Sequence, residues 1–337
     1  MSSKPTIADV AREAGVTKGT VSHVFNGHRT ISAATAKKVT DAAAKLGWIP
    51  NQAARALVEK KTNAVGIVLA RDPEVLYADA FFPVFLSGLE LELSKREIAL
   101  VLQTVTDREA EERAYRSMSQ GRVDGFVVLD MRCDDWRVGL LRELHMKAVL
   151  MESGDDYQFE DFSTVWVDDR GPMQEVVDHL HELGHTRIAH VSGPLEYVHS
   201  QQRAQGYVER VGSRELLYEG DFTAKQGVEL TRELLALSEP PTAIIYANDV
   251  MAIGGLSYAG SQGLAIPEDL AIVGYEDDPI SVHLNPPMTS VSTNAYNRGQ
   301  LAAQRLLADI DGDMPKAVQS LPETIRWRAS TEGSHLA

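Results

Sequence analysis

From Val65 onward the chain alternates between short β-rich apolar runs and longer stretches of helical periodicity, and this alternation constrains its fold more than any other feature. The β-rich runs are Val65–Leu69, Ile98–Leu102, Phe126–Leu129, Val149–Met151, Val165–Val167, Ile188–Val191, Ala243–Tyr246 and Ile272–Gly274. Helical patterns fill the gaps at Phe82–Lys95, Arg108–Gln120, Met173–Leu183, Ala224–Leu237 and Val250–Gln262. Strand–helix alternation predicts an α/β body of parallel sheets with helices on both faces. The 276 residues after Lys61 exceed one ordinary core and suit two such lobes. Open parallel sheets bind ligands beyond the carboxyl ends of their strands, so two facing lobes predict a cleft for a small molecule.

The first 61 residues read differently. Thr6 can cap a helix that Asp9 supports from its third position, with Ile7, Val10, Ala11 and Ala14 on one face and Gly15 as its stop. Thr17 can cap a second helix running to about Phe25, with Val21, Val24 and Phe25 inward and Lys18, Gly19, Ser22 and His23 outward. A third, capped by Ser32, runs to about Leu46 with Val39, Ala43 and Leu46 inward. Two short helices joined at a glycine form a helix-turn-helix, whose second helix enters the major groove of DNA. An ordinary helical bundle with a solvated basic surface has the same periodicity. Charge adds a second argument: residues 1–61 carry ten Lys/Arg and four Asp/Glu, a balance of +6, and the remainder carries −21. A basic head on an acidic body suits a polyanion-binding module whose body is repelled from phosphate.

The single thiol, Cys133, excludes an intramolecular disulfide and a cysteine zinc site, and suits a reducing compartment. Met1–Asp9 lacks the apolar core of a secretory signal, and no run of about 18 apolar residues occurs, so a cytoplasmic protein without membrane association is expected.

The run Thr6-Ile7-Ala8-Asp9-Val10-Ala11, Gly15-Val16-Thr17, Thr20-Val21-Ser22 and Asn26-Gly27 resembles the head of LacI/GalR-family transcriptional regulators. Gly47-Trp48-Ile49-Pro50-Asn51-Gln52-Ala53-Ala54-Arg55-Ala56-Leu57 resembles that family's hinge. The resemblance implies a DNA-binding domain over 1–50, a hinge helix and linker over 51–61 and an effector-binding and dimerisation domain over 62–337. It implies that Lys18, Gly19, Ser22 and His23 fall where the family reads base edges, and Thr6, Thr17, Thr20 and Asn26 where it holds the backbone. Gly19 has no side chain to offer a base, and His23 stands where relatives often carry Arg, so the operator of a relative is not inherited. In the hinge Asn51 caps a short helix, Ala54 and Arg55 lie along it, and Leu57 is implied as a minor-groove wedge. Leu57 as a plain core contact is the alternative. A segment of two turns is too short to be stable alone in water.

The body resembles the sugar-binding fold of the same family, similar to periplasmic binding proteins. The resemblance is carried by Phe81-Phe82-Pro83, Val167-Asp168-Asp169, Ser192-Gly193-Pro194, Arg203-Ala204-Gln205-Gly206-Tyr207, Gly220-Asp221-Phe222-Thr223, Ala247-Asn248-Asp249 and Ile266–Tyr275. It implies a first lobe of about 62–161 plus 292–324, a second of about 162–291 plus 325–337, and three crossings between them. Arg203, Phe222, Asn248 and Glu276 map onto effector contacts: fixed donors, an apolar face for a ring, a mixed donor and acceptor, and a charged acceptor. Phe82, Glu152 and Ala70 are further candidates. Glu276 stands where the family usually has aspartate. Purely structural roles compete for these residues: Arg203 in a surface ion pair, Phe222 in the core, Asn248 capping the helix after it.

His181 and His185 have the i, i+4 spacing of a zinc site, but no zincin glutamate follows and Gly184 ends the helix between them. With no phosphate loop, nucleophile elbow or dinucleotide fingerprint, neither catalysis, a metal nor a cofactor is expected. The reading is therefore a repressor that acts as a homodimer on double-stranded operator DNA under control of a small-molecule effector, a sugar or sugar derivative. A solute-binding protein for sugar uptake is the competing class; it accounts for the body and not for the basic head. The tail after Trp327 lacks leucine heptads, so a tetramerising coiled coil is not expected.

Overall fold

The structure, a computed structural model, describes residues 5–26, 31–48, 61–153 and 159–332, with the side chains of Asn26, Glu152 and Ser153 outside that description. It divides into two units, one up to Thr62 and one from Asn63.

The first unit holds α1 (Ile7–Ala14), α2 (Lys18–Asn26) and α3 (Ala33–Leu46). The Asp9 carboxylate accepts from the Thr6 N–H at 2.9 Å and its hydroxyl at 2.7 Å. Gly15 and Gly47 end α1 and α3 at φ 64° and 62°, left-handed positions that glycine adopts without a Cβ penalty. Val10, Val21 and Val39 are fully buried with Ala11, Ala42 and Ala43, and Trp48 meets Phe25 edge to face at 5.2 Å. The hinge candidates Asn51, Ala54, Arg55 and Leu57 lie outside the described residues.

The second unit contains two six-stranded sheets. The first comprises β1 (Ala64–Ala70), β2 (Ala99–Val105), β3 (Gly125–Val128), β4 (Lys147–Ser153), β5 (Ser163–Val167) and β11 (Ala317–Gln319), in the order β11-β5-β4-β3-β1-β2. The second comprises β6 (Ile188–Ser192), β7 (Leu217–Glu219), β8 (Ala243–Tyr246), β9 (Ala271–Tyr275), β10 (Thr289–Ser292) and β12 (Thr324–Arg326), in the order β12-β10-β9-β8-β6-β7. All pairings are parallel except β10 with β12. The helices are α4 (Pro73–Ala78), α5 (Phe81–Ser94), α6 (Arg108–Ser119), α7 (Trp136–Glu143), α8 (Arg170–Glu182), α9 (Val198–Val211), α10 (Ala224–Leu235), α11 (Asp249–Ser261), α12 (Ala295–Ile310) and α13 (Ala329–Glu332).

β5 pairs with β4, so the first lobe extends to Val167 and a second lobe beginning at 162 is corrected; the first crossing falls between Val167 and Arg170. Sequence periodicity could not place it, because a buried strand reads alike in either sheet. α12 returns to the first lobe, where a Cβ on Gly88 of α5 would lie 2.0 Å from the Tyr296 carbonyl oxygen and one on Gly299 2.1 Å from that of Phe85. Only glycine allows the two helix backbones to meet so closely.

Candidate functional site

In the first unit Thr17 bonds the N–H of Thr20 at 3.1 Å and its hydroxyl at 3.0 Å, fixing the start of α2. This cap leaves Lys18 and Gly19 exposed on the first turn, with Thr20, Ser22 and His23 partly exposed behind them. Thr6 is exposed at the start of α1. Of Asn26 only the backbone is described, as the last residue of α2. The arrangement presents side chains outward from one short helix, which is what a groove reader requires.

In the second unit a cleft with about 610 Å³ of empty space, its open mouth included, lies where the strands of both sheets end. Arg71 follows β1 and Asp130 follows β3, flanking the point where the strand order of the first sheet reverses. The loops after β6 and β8 flank the corresponding reversal in the second sheet. Phe82, Arg203, Phe222 and Glu276 all line the cleft, together with Asp79, Phe81, His199 and Arg298. Ala70 does not line it; its neighbour Arg71 does. Glu152 is the penultimate residue of β4, next to the lining residue Met151, and its side chain is outside the described residues.

The charged groups arrive already paired. Arg203 is buried, donates from Nε to Asp169 at 2.7 Å and from Nη1 to the Ala247 carbonyl at 3.2 Å, and lies 3.7 Å over the Tyr275 ring. Arg71 grips Asp130 through two bonds of 2.8 and 2.7 Å, its guanidinium 4.4 Å from the rings of both Tyr197 and Phe222. Burial pushes the Asp130 carboxyl upward, but the Arg71 charge and hydrogen bonds outweigh it and hold the group down to about 2. Glu276 has no such partner. Burial, reinforced by the charge of Asp79, pushes it up to about 8, although Thr293 donates to its Oε2 at 2.8 Å. Burial and the charge of Arg203 press His199 down to about 3, so its ring is neutral.

Asn248 combines two roles. Its Oδ1 accepts from the Met251 N–H at 2.9 Å, capping α11, while its Nδ2 donates to the Phe222 carbonyl at 3.1 Å and, across the lobes, to Asp79 at 3.0 Å. With those groups spent, Asn248 ties the lobes together and is not among the lining side chains. Phe222 reaches the cleft because Gly193 lacks a side chain: a Cβ there would fall 2.1 Å from its ring. Asp130, Phe222 and Glu276 hold positive φ of 53°, 69° and 109°, a strained backbone that clusters at binding sites. Sequence reasoning missed Arg71, Asp79, Asp130, His199 and Arg298. The first and third follow strand ends, a signal open to the same rule that located the cleft.

The two histidines spaced for zinc diverge. Gly184 carries the chain off α8 at φ 94°, and the His185 ring meets the Thr242 hydroxyl at 3.0 Å. Among the described residues no group of three His, Cys, Asp or Glu could hold a metal ion, and no helix is long and apolar enough to cross a membrane.

Residues 6–51 match the family described as bacterial regulatory proteins, lacI family, and residues 177–331 match a periplasmic binding protein-like domain. The HTH-type transcriptional regulator CelR of Thermobifida fusca is 34% identical over 95% of this chain and 96% of its own length. The chain belongs to the LacI family. This LacI-family transcriptional regulator also resembles two solved structures. One, a transcriptional regulator CelR–cellobiose complex, aligns with a TM-score of 0.74 at 32% identity over 97% of this chain and 99% of that one. The other, a lac repressor dimer bound to operator and the anti-inducer ONPF, aligns with a TM-score of 0.85 at 26% identity over 98% and 99%.

Proposed function

We propose that this regulator is a dimeric, cytoplasmic repressor whose hold on a near-palindromic operator is set by a saccharide bound in the cleft. The observation that carries the ligand class is Arg298. It is 7% exposed and lines the cleft, and its Nε has no hydrogen-bond partner. A buried guanidinium donor left unpaired costs free energy unless a ligand supplies the acceptor. Beside it stand the Glu276 carboxyl and the rings of Phe81, Phe82 and Phe222. Donor, acceptor and apolar face together suit a polyhydroxylated ring, and the CelR relative was solved with cellobiose. Nothing in this arrangement calls for bond-making; the cleft binds.

On DNA, Lys18, Ser22 and His23 read base edges while Thr6, Thr17, Thr20 and Asn26 hold phosphates. Gly19 lets the helix approach without adding a contact. Asn51, Ala54, Arg55 and Leu57 form the hinge, with Leu57 as the wedge. The body, at −21, is repelled from phosphate, so contact is left to the head at +6. Dimerisation is supported by the first-lobe edge: Val84 and Leu91 on α5 and Leu102 on the edge strand β2 are exposed apolar side chains, which a monomer in water has no reason to group. Such a switch needs an effector that prefers one lobe arrangement by about 1 to 3 kcal/mol.

Selection of genomic fragments by the full chain, followed by gel shifts at several salt concentrations, tests the DNA half; binding without sequence preference would end it. A thermal-shift screen of neutral sugars, sugar phosphates and nucleobases tests the ligand half, because a bound ligand raises the melting temperature by mass action. A rise with nucleobases and none with any sugar would reassign the effector.

A further inference from the structure

Three short segments carry the chain between lobes: 168–169 from β5 to α8, 293–294 from β10 to α12, and 320–323 from β11 to β12. Each contains a buried polar side chain, Asp169, Thr293 and Glu323 respectively. Asp169 accepts from Arg203 Nε at 2.7 Å. Thr293 donates to Glu276 at 2.8 Å. Glu323 accepts from the Tyr275 hydroxyl, and its other oxygen has no hydrogen-bond partner while lying 4.0 Å from Arg203 Nη2. The second and third segments are joined in turn, because Asn294 Nδ2 donates to the Pro322 carbonyl. Arg203 and Glu276, cleft residues of the second lobe, are thus bonded to the crossings themselves.

Hinge rotation is absorbed as φ/ψ change at a few crossing residues, and side chains on those residues swing with the backbone. Asn294 already sits at φ 51°, a left-handed conformation beside Thr293. Any ligand that pulls Arg203 or Glu276 therefore strains or relaxes a bond whose other end moves with the lobes. The unfilled oxygen of Glu323, 4.0 Å away, stands as a further acceptor within reach of the Arg203 fork, so two crossings face that one guanidinium: Asp169 bonded to it and Glu323 beside it.

We propose that Asp169, Thr293 and Glu323 are positioning residues that clasp Arg203 and Glu276 to the hinge, so that ligand contact at those two side chains turns one lobe against the other. The proposal rests on the reading of the cleft as the effector site, but the clasp exists without ligand and is measurable without it.

In the full chain carrying Cys133→Ser, spin labels at Glu109→Cys on α6 and Lys225→Cys on α10 report the distance between lobes, with labelled chains diluted into unlabelled ones. Thr293→Val removes the hydroxyl and keeps the shape; Thr293→Ser keeps the hydroxyl. Without sugar, Thr293→Val should give a broader and displaced distance distribution, and Thr293→Ser should restore that of the wild type. Superimposed wild-type and Thr293→Val distributions overturn the proposal. If Thr293→Val does not fold, Glu323→Gln takes its place: it keeps an acceptor for Tyr275 but no charge for Arg203, and is read at pH 9, where the same comparison applies. Adding cellobiose then separates the two readings. A shift in wild type reproduced unchanged in Thr293→Val removes the clasp and leaves the effector site standing. No shift in wild type with cellobiose or any sugar of the screen, alongside a broadened Thr293→Val distribution, keeps the clasp and removes the saccharide.

Discussion

The two units of this regulator use the same ion-pair chemistry in opposite ways. In the head, Lys37–Asp41 at 2.7 Å has side chains 77% and 62% exposed. In the body, Arg71–Asp130, also at 2.7 Å, has side chains 8% and 14% exposed. At equal length the first pair is screened by water, and the second gives up its hydration and depends on its partner. The head keeps its charges available for an external polyanion. Around its cleft the body uses charges up in buried pairs, Arg71 with Asp130 and Arg203 with Asp169, whereas the Nε of the lining residue Arg298 has no hydrogen-bond partner.

Breaking that contrast should produce its largest effect in the body. Asp130→Ala strands Arg71 without its carboxylate and should cost about 3 to 5 kcal/mol of body stability, read as a lower calorimetric transition of the full chain. A loss no greater than that of an exposed pair would show that water reaches Arg71. In the head, Lys18→Ala should leave stability unchanged and weaken specific operator binding by about 1 to 3 kcal/mol if Lys18 reads a base. A uniform loss on all DNA, with a shallower salt dependence, would make it a phosphate contact instead.

The buried carboxyls sharpen the comparison through pH. The native body holds the Glu276 proton up to about 8, whereas the unfolded chain releases it near 4.5, so this contribution is complete at low pH and is lost as pH rises between those values. His190 runs the other way: burial lowers it from 6.5 to about 4, so the neutral ring costs stability as pH falls below 6.5. Between pH 6.5 and 8 only the carboxyl effect operates, by up to about 1.4 kcal/mol per pH unit for each group. Wild-type stability should therefore decline over that window, and Glu276→Gln should flatten the decline, leaving the part due to Glu323, which burial also pushes up to about 8, and, at the lower end of the window, to Asp249, which burial pushes up to about 7. Identical slopes would place the Glu276 proton elsewhere. The smallest effect belongs to the head: Asp41→Ala should change stability by less than about 0.5 kcal/mol, and a larger loss would show that an exposed pair carries more than solvent screening allows.

The head was legible almost residue by residue. Thr6, Thr17 and Ser32 as caps, Gly15 as a stop and Val10, Val21 and Val39 as core all follow from spacing within a dozen residues, and all three helices are found there. The eight β-rich runs of the body are all strands, each within a few residues of its expected limits. Short elements were not foreseen: β7 and β11 have three residues each and β10 four, too few to show a period. In the cleft, Arg203, Phe222 and Glu276 were named through family resemblance, but the partners that define their chemistry, 34 residues away for Asp169 and 17 for Thr293, leave no local trace.

Sequence alone determined the kinds of element, the charge division between head and body, and the presence of facing strand ends where a ligand could sit, because periodicity, capping and net charge act over a turn or a strand. Tertiary structure decided that β5 belongs to the first lobe, that Asn248 is spent on bridging to Asp79, and that Arg298 has no protein acceptor at its Nε while Arg71 and Arg203 do. Those outcomes depend on which charge is desolvated beside which, and desolvation is a property of the packed interior that no stretch of chain possesses before it folds.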